Sequence, residues 1–137
     1  MPDDVLLNKA STIERCLRRI EAEYQGGESE LETNLTRQDS VILNLQRACE
    51  AAIDGAMHVA RIRRLGLPQD SREAFSLLRD ADVLDADLTA SMQAMVGFRN
   101  VAVHNYRMLD LAIVRSIIET RLTDFRAFAA VLVRQGT

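Results

Sequence analysis

Apolar side chains recur at three- and four-residue steps along most of the chain, and each such run predicts a helix with one buried stripe. The first covers residues 5–24, with Leu6, Ile13, Cys16, Leu17, Ile20 and Tyr24 in phase. Gly26-Gly27 ends it, as glycine does beyond a helix C-terminus. The second covers about residues 37–65, where Val41, Ile42, Leu45, Ala48, Cys49, Ala52, Ile53, Ala56 and Val59 form a broad stripe. Gly66 with Pro68 two residues on predicts its stop. Asp70-Ser71-Arg72-Glu73 has the layout of a capped helix start, predicting a short third helix over about 71–81 whose Phe75 packs in the core or marks a partner surface. Asp85 or Asp87 caps a fourth helix through Leu88, Met92, Met95 and Val96, and a turn near Met108-Leu109-Asp110 leads to a fifth over about 111–133. No stretch alternates with the period of a strand. The expected architecture is all-α, an antiparallel bundle of four main helices plus one short helix, in a single domain over residues 1–137.

Composition narrows this picture. With 47% hydrophobic and 27% charged residues, 137 residues suffice for one core. Tryptophan is absent and aromatics make up 4%, so the core is built from aliphatic side chains and methionine. No apolar run approaches the ~20 residues of a membrane span, and the acidic Met1-Pro2-Asp3-Asp4 start lacks a signal-peptide layout. The expected location is the cytoplasm, with no membrane partner. Cys16 and Cys49 sit among apolar positions and have no CxxC spacing, which predicts buried thiols rather than a disulfide or zinc site. His58 stands near Met57 and Val59 without a second histidine at i+3 or i+4, so it is expected to be structural.

A net charge of −3 and a pI near 5.4 count against broad electrostatic attraction to nucleic acid. Local clusters remain: Arg15, Arg18 and Arg19, then Arg61, Arg63 and Arg64. Arginine suits phosphate contact and ion pairing alike, and most of these are expected to be solvated, paired helix faces.

The chemistry concentrates in Gly97-Phe98-Arg99-Asn100-Val101-Ala102-Val103-His104-Asn105-Tyr106, which holds one of two histidines and one of two tyrosines. On a continuous helix at about 100° per residue, Arg99 and Tyr106 fall on nearly the same side, His104 lies roughly 140° from Arg99, and Asn100 faces His104 at i+4. Polar groups on several sides suit a helix at a junction completed by a second chain, and Gly97 would permit close backbone approach there. Imidazole exchanges protons around neutral pH, and guanidinium holds a phosphate and its developing charge. One histidine cannot conveniently serve both sides of an in-line displacement at phosphorus, whereas a twofold dimer supplies two. The competing readings are an interfacial hydrogen-bond network without catalysis, and a metal-dependent enzyme. The second is disfavoured because no carboxylate or histidine shows ligand spacing.

Arg99-x4-His104-x-Tyr106, with Asn100 directly after the arginine, resembles the signature of the HEPN superfamily, specifically the HepT-like toxins of HepT/MntA toxin–antitoxin pairs. Residues 37–54, with Arg37-x-Asp39 and Asn44-Leu45, are similar to that family's second helix. The resemblance implies a toxin endoribonuclease that needs neither metal nor cofactor. It implies a homodimer whose composite site uses Arg99 and His104, with Asn100 orienting the phosphate or His104, and which leaves 2′,3′-cyclic phosphate ends on RNA. It further implies an MntA-like nucleotidyltransferase antitoxin that silences the toxin by AMPylation of Tyr106. The alternative is a non-catalytic helical HEPN module that binds RNA or docks a nucleotidyltransferase.

Overall fold

The structure is a computed structural model that describes residues 2–24 and 30–137. Among the described residues six α-helices follow one another: α1 (Asp4–Tyr24), α2 (Leu35–Ile62), α3 (Ser71–Asp80), α4 (Ala86–His104), α5 (Leu111–Thr120) and α6 (Leu122–Gly136). A 3₁₀ turn, Tyr106–Met108, lies between α4 and α5. The expected Gly26-Gly27 terminator lies outside the described residues.

Side-chain caps fix the starts. Asp3, Asn34, Asp70, Asp85 and Asp110 each accept a hydrogen bond from a free backbone N–H of the first turn that follows. Of the two candidates for α4, Asp85 is therefore the cap. Two helices, α2 and α3, are followed by a left-handed residue that is not glycine. Arg64 (φ 55°) and Asp82 (φ 60°) take the left-handed position, and the next amides, Leu65 and Val83, reach back to the carbonyls of Ala60 and Leu78. Thus α2 stops at Ile62, three residues short of the expected end, and Gly66 is not the residue that closes it.

The fifth expected helix is divided. Its stripe Val114, Ile117, Ile118, Leu122, Phe125, Phe128, Ala129, Leu132 never loses phase, yet the chain breaks at Arg121 (φ −115°, ψ −6°) between α5 and α6. Just before the break, Thr120 Oγ1 donates to the Ser116 carbonyl at 2.6 Å, a back-bond that bends helices. Beyond it α6 turns into the core, while α5 is held over the end of α1. There Arg115 donates to Tyr24 and Glu32, and the Tyr24 hydroxyl donates to Glu119.

Antiparallel pairs make up the bundle. The Asp3 amide donates to the Gly136 carbonyl at 2.7 Å, joining the start of α1 to the end of α6. Asp3 Oδ2 also meets His58 Nε2 at 2.8 Å, joining the same start to the end of α2. His58 Nδ1 in turn accepts from Arg61 at 2.7 Å, so this histidine is satisfied within the fold. Its bond holds the Asp3 carboxyl below the ordinary value. Gly55 lets α2 cross α6 closely, since a Cβ there would fall 2.6 Å from a Leu132 methyl. One contiguous core results, with Phe75 of α3 fully buried edge-to-face on Phe128 (5.4 Å, 64°). Phe75 is therefore a core residue and not a partner surface. Cys16 and Cys49 are buried free thiols, raised by burial. Among the described residues, no helix is long and apolar enough to cross a membrane.

Candidate functional site

Helix α4 runs beside α2 and carries the motif along their shared open edge. Arg99, about four turns after the Asp85 cap, turns toward α2. Its guanidinium bears on the Cys49 thiol, and it lines one polar depression with Glu50, Asp54 and Ser71. A second depression joins Arg99 to Asn100, Asp70, Ser71 and Arg72. Arg99 Nε is fully enclosed and has no acceptor, and among the described residues the side chain forms no ion pair. A buried donor without a partner costs about 1–3 kcal/mol, and Arg99 lines its two depressions beside Glu50, Asp54 and Asp70 without an ion pair to them.

Asn100 shares the second depression, while His104, the last residue of α4, is exposed. They occupy i and i+4, but no hydrogen bond joins their side chains. The helical arithmetic for Tyr106 does not hold. Asn105 (φ −152°, ψ 54°) leaves the helical conformation, and Tyr106 lies in the 3₁₀ turn instead of two turns above Arg99. It crosses to α2, where its hydroxyl donates to Asp39 Oδ1. That pairing ties the turn after α4 to the first turns of α2. The motif side chains are thus laid out along the α2–α4 edge rather than stacked on one face: Arg99 half-buried, Asn100 beside it, His104 at the helix end and Tyr106 past it.

The Tyr106 phenol is pushed up to about 12, by burial of its hydroxyl end first and then by the bond to Asp39 and that carboxylate's charge. The phenol is therefore neutral at physiological pH, with a carboxylate placed to accept its proton. A raised value means that folding favours the neutral form. Its contribution to stability is complete below the ordinary tyrosine value near 10 and is lost as pH rises toward 12. Asp39→Asn is expected to shift the Tyr106 transition downward in an ultraviolet phenolate titration, with Tyr106→Phe identifying which of the two tyrosines moves. An unchanged transition would mean that burial alone sets it.

The sequence did not point to Arg72. This first-turn residue of α3 lies so close over Gly97 that a Cβ on that glycine would come within 3.1 Å of its guanidinium. The near neighbour above Gly97 is thus a side chain of this chain. Gln93 fixes the arrangement by donating to the Arg72 carbonyl (2.9 Å) and to Ser76 Oγ (2.8 Å), clamping α3 on α4. The only sequence signal was a glycine inside a helix. Among the described residues, no three His, Cys, Asp or Glu side chains group so as to hold a metal ion.

Next to the motif an open apolar groove of about 470 Å³ runs between α4, the 3₁₀ turn and α5. Phe98, Val101, Met108 and Ile113 line it, with Met108 70% and Ile113 54% exposed.

Residues 13–132 match the family model described as Ribonuclease HepT-like. The chain is 45% identical over 130 residues to the mRNA nuclease HepT of Shewanella oneidensis, covering 95% of this chain and 97% of that protein. Among solved structures, it is similar to the tri-AMPylated Shewanella oneidensis HEPN toxin in complex with an MNT antitoxin. The TM-score is 0.89 at 46% identity, over 94% of this chain and 96% of that one. A toxin–antitoxin complex with AMP-PNP gives 0.89 at 45% identity, over 95% and 98% of the two chains. The chain belongs to the HepT-like ribonuclease family of HEPN proteins.

Proposed function

We propose that this chain is the toxin of a toxin–antitoxin pair, a metal-independent endoribonuclease whose site is completed by a second copy of itself. The observation that carries this reading is the unpaired Arg99 guanidinium, with its enclosed Nε, on the same helix as an exposed and unbonded His104. A network within one protomer would use up those groups, whereas here they remain open to an anion or to a second copy of the chain. The nuclease and antitoxin-bound relatives support the same reading. The exposed apolar groove beside the motif supports a self-association face.

In the twofold arrangement, His104 of one protomer takes the proton from the ribose 2′-hydroxyl as that oxygen bonds to phosphorus. The partner's His104 gives a proton to the departing 5′-oxygen as the P–O5′ bond breaks. Arg99 from each copy holds the non-bridging oxygens, and Asn100 orients the phosphate. The products are a 2′,3′-cyclic phosphate and a free 5′-hydroxyl, and no atom of the reaction requires a metal or cofactor.

Silencing follows from Tyr106. The phenolic oxygen bonds to the α-phosphorus of ATP bound by an MntA-like nucleotidyltransferase, pyrophosphate leaves, and Asp39 is positioned to accept the phenolic proton. The resulting anionic phosphodiester stands at the RNA site and repels substrate. RNA incubated with the unmodified protein in EDTA tests the reading. Cleavage leaving cyclic phosphate ends is expected, and cleavage that needs added divalent metal would overturn it.

A further inference from the structure

One arginine cluster of the sequence finds an added member in the fold. Arg15 and Arg19 of α1 do not point into solvent alone: with Arg47 and Asn44 of α2 they line an open groove of about 490 Å³ floored by the Cys16 thiol. Both Arg15 and Arg47 bear electrostatically on that thiol, which places the two guanidiniums over one floor. Two acids of α1, Glu14 and Glu21, lie away from it. Glu21 pairs with Arg126 on the α6 side, and Glu14 lies on that same side. Among the described residues, Arg19 alone of the three arginines has a carboxylate partner, Glu23 at 3.4 Å. Among the described residues, Arg15 reaches no acid, only the Thr12 hydroxyl at 3.5 Å, and no ion pair or side-chain hydrogen bond engages Arg47. In a chain of net charge −3, a groove with three guanidiniums and one paired glutamate is a local excess of positive charge.

Its position is as informative as its charge. Along α2, Asn44 and Arg47 fall between Asp39, which holds Tyr106, and Glu50, which lines the Arg99 depression. The groove is therefore level with the motif, on the α1 side of the exposed α2 stripe whose α4 side carries Arg99 and Tyr106. Guanidinium groups beside an amide and a hydroxyl, with Glu23 on Arg19 the one paired acid, suit phosphodiester oxygens.

We infer that the Arg15–Arg19–Arg47 groove is a second phosphate-binding site that holds the backbone of single-stranded RNA away from the scissile bond. This rests on the ribonuclease reading and extends it: affinity for RNA resides largely off the catalytic motif, so the groove sets KM rather than kcat. An acidic protein partner is the other occupant such a groove could take, and the test separates the two.

The test uses the His104→Ala protein, which binds RNA without cutting it, and a fluorescent single-stranded RNA oligomer titrated at several salt concentrations. Each lost phosphate contact on a single strand lowers the slope of log K against log salt by about 0.7. Arg15→Glu with Arg47→Glu is expected to weaken binding at least ~10-fold and flatten that slope by more than one such contact. Arg15→Lys with Arg47→Lys is expected to retain most of the binding, and thermal melting to stay near wild type because both side chains are exposed. Arg63→Glu with Arg64→Glu, reversing the same charge at the far end of α2, serves as control. Affinity and slope unchanged in the groove variant, or equally changed in the control, overturn the proposal while cleavage by the wild type leaves the nuclease reading standing. Loss of antitoxin binding with RNA affinity intact also overturns it, assigning the groove to a protein. A wild-type protein that neither binds nor cuts RNA overturns both.

Discussion

Replacing His104 by alanine is expected to lower RNA cleavage by ~10²–10⁴-fold, toward the upper end because one substitution removes both the base and the acid of a symmetric site. The side chain is exposed and makes no hydrogen bond within the described structure, so the fold has little reason to respond. Arg99→Ala is expected to cost ~10²–10³-fold by removing charge stabilisation at phosphorus. Arg99→Lys should recover only part of this, since a point charge does not replace a planar fork. Cleavage rates and melting temperatures measured together decide the matter. Variants that melt normally but do not cut identify a catalytic pair. Variants that cut normally and lose self-association would identify the interfacial scaffold instead.

The second large effect falls on regulation. Tyr106→Phe removes the one oxygen the proposed silencing reaction needs, so the antitoxin with ATP should add no AMP to the variant, read by intact mass. Cleavage should persist, because the phenol takes no part in the proposed proton transfers and its hydroxyl is engaged by Asp39. Expressed with its antitoxin, the variant should be toxic where the wild type is not. AMP found on the Phe variant would move the modification to another residue. Lost cleavage would show that the hydroxyl, or the Asp39 tie that anchors the turn after α4, also serves the RNA site.

Much of the bundle was legible in the sequence because its apolar stripes and Asp caps are local signals. The starts at Asp70 and Asp85 follow directly from side chains that accept free amides. The end of α2 was misplaced because Arg64 adopts the left-handed conformation that glycine usually supplies, and Gly66 drew attention from it. The break between α5 and α6 was invisible: neither glycine nor proline marks Arg121, and the stripe keeps its phase across it.

At the candidate site, residue types and spacing singled out Arg99, Asn100, His104 and Tyr106, but not how they meet. Asn105 ends α4 one residue before Tyr106, so a calculation assuming one helix put the tyrosine over Arg99 when it faces Asp39. Arg72 and Asp39 lie 27 and 60 residues before Arg99 and come to the site only by packing. Periodicity cannot supply such long-range neighbours. Arg47 joining Arg15 across two helices is a case of the same kind.

The central claim is that each cut uses a histidine from both copies of the chain, and subunit mixing tests it most directly. Wild type and His104→Ala, refolded together at varied ratios, should give cleavage that falls with the square of the wild-type fraction, since only pairs with two histidines cut. A linear fall would contradict the composite site and place a complete active centre in each protomer.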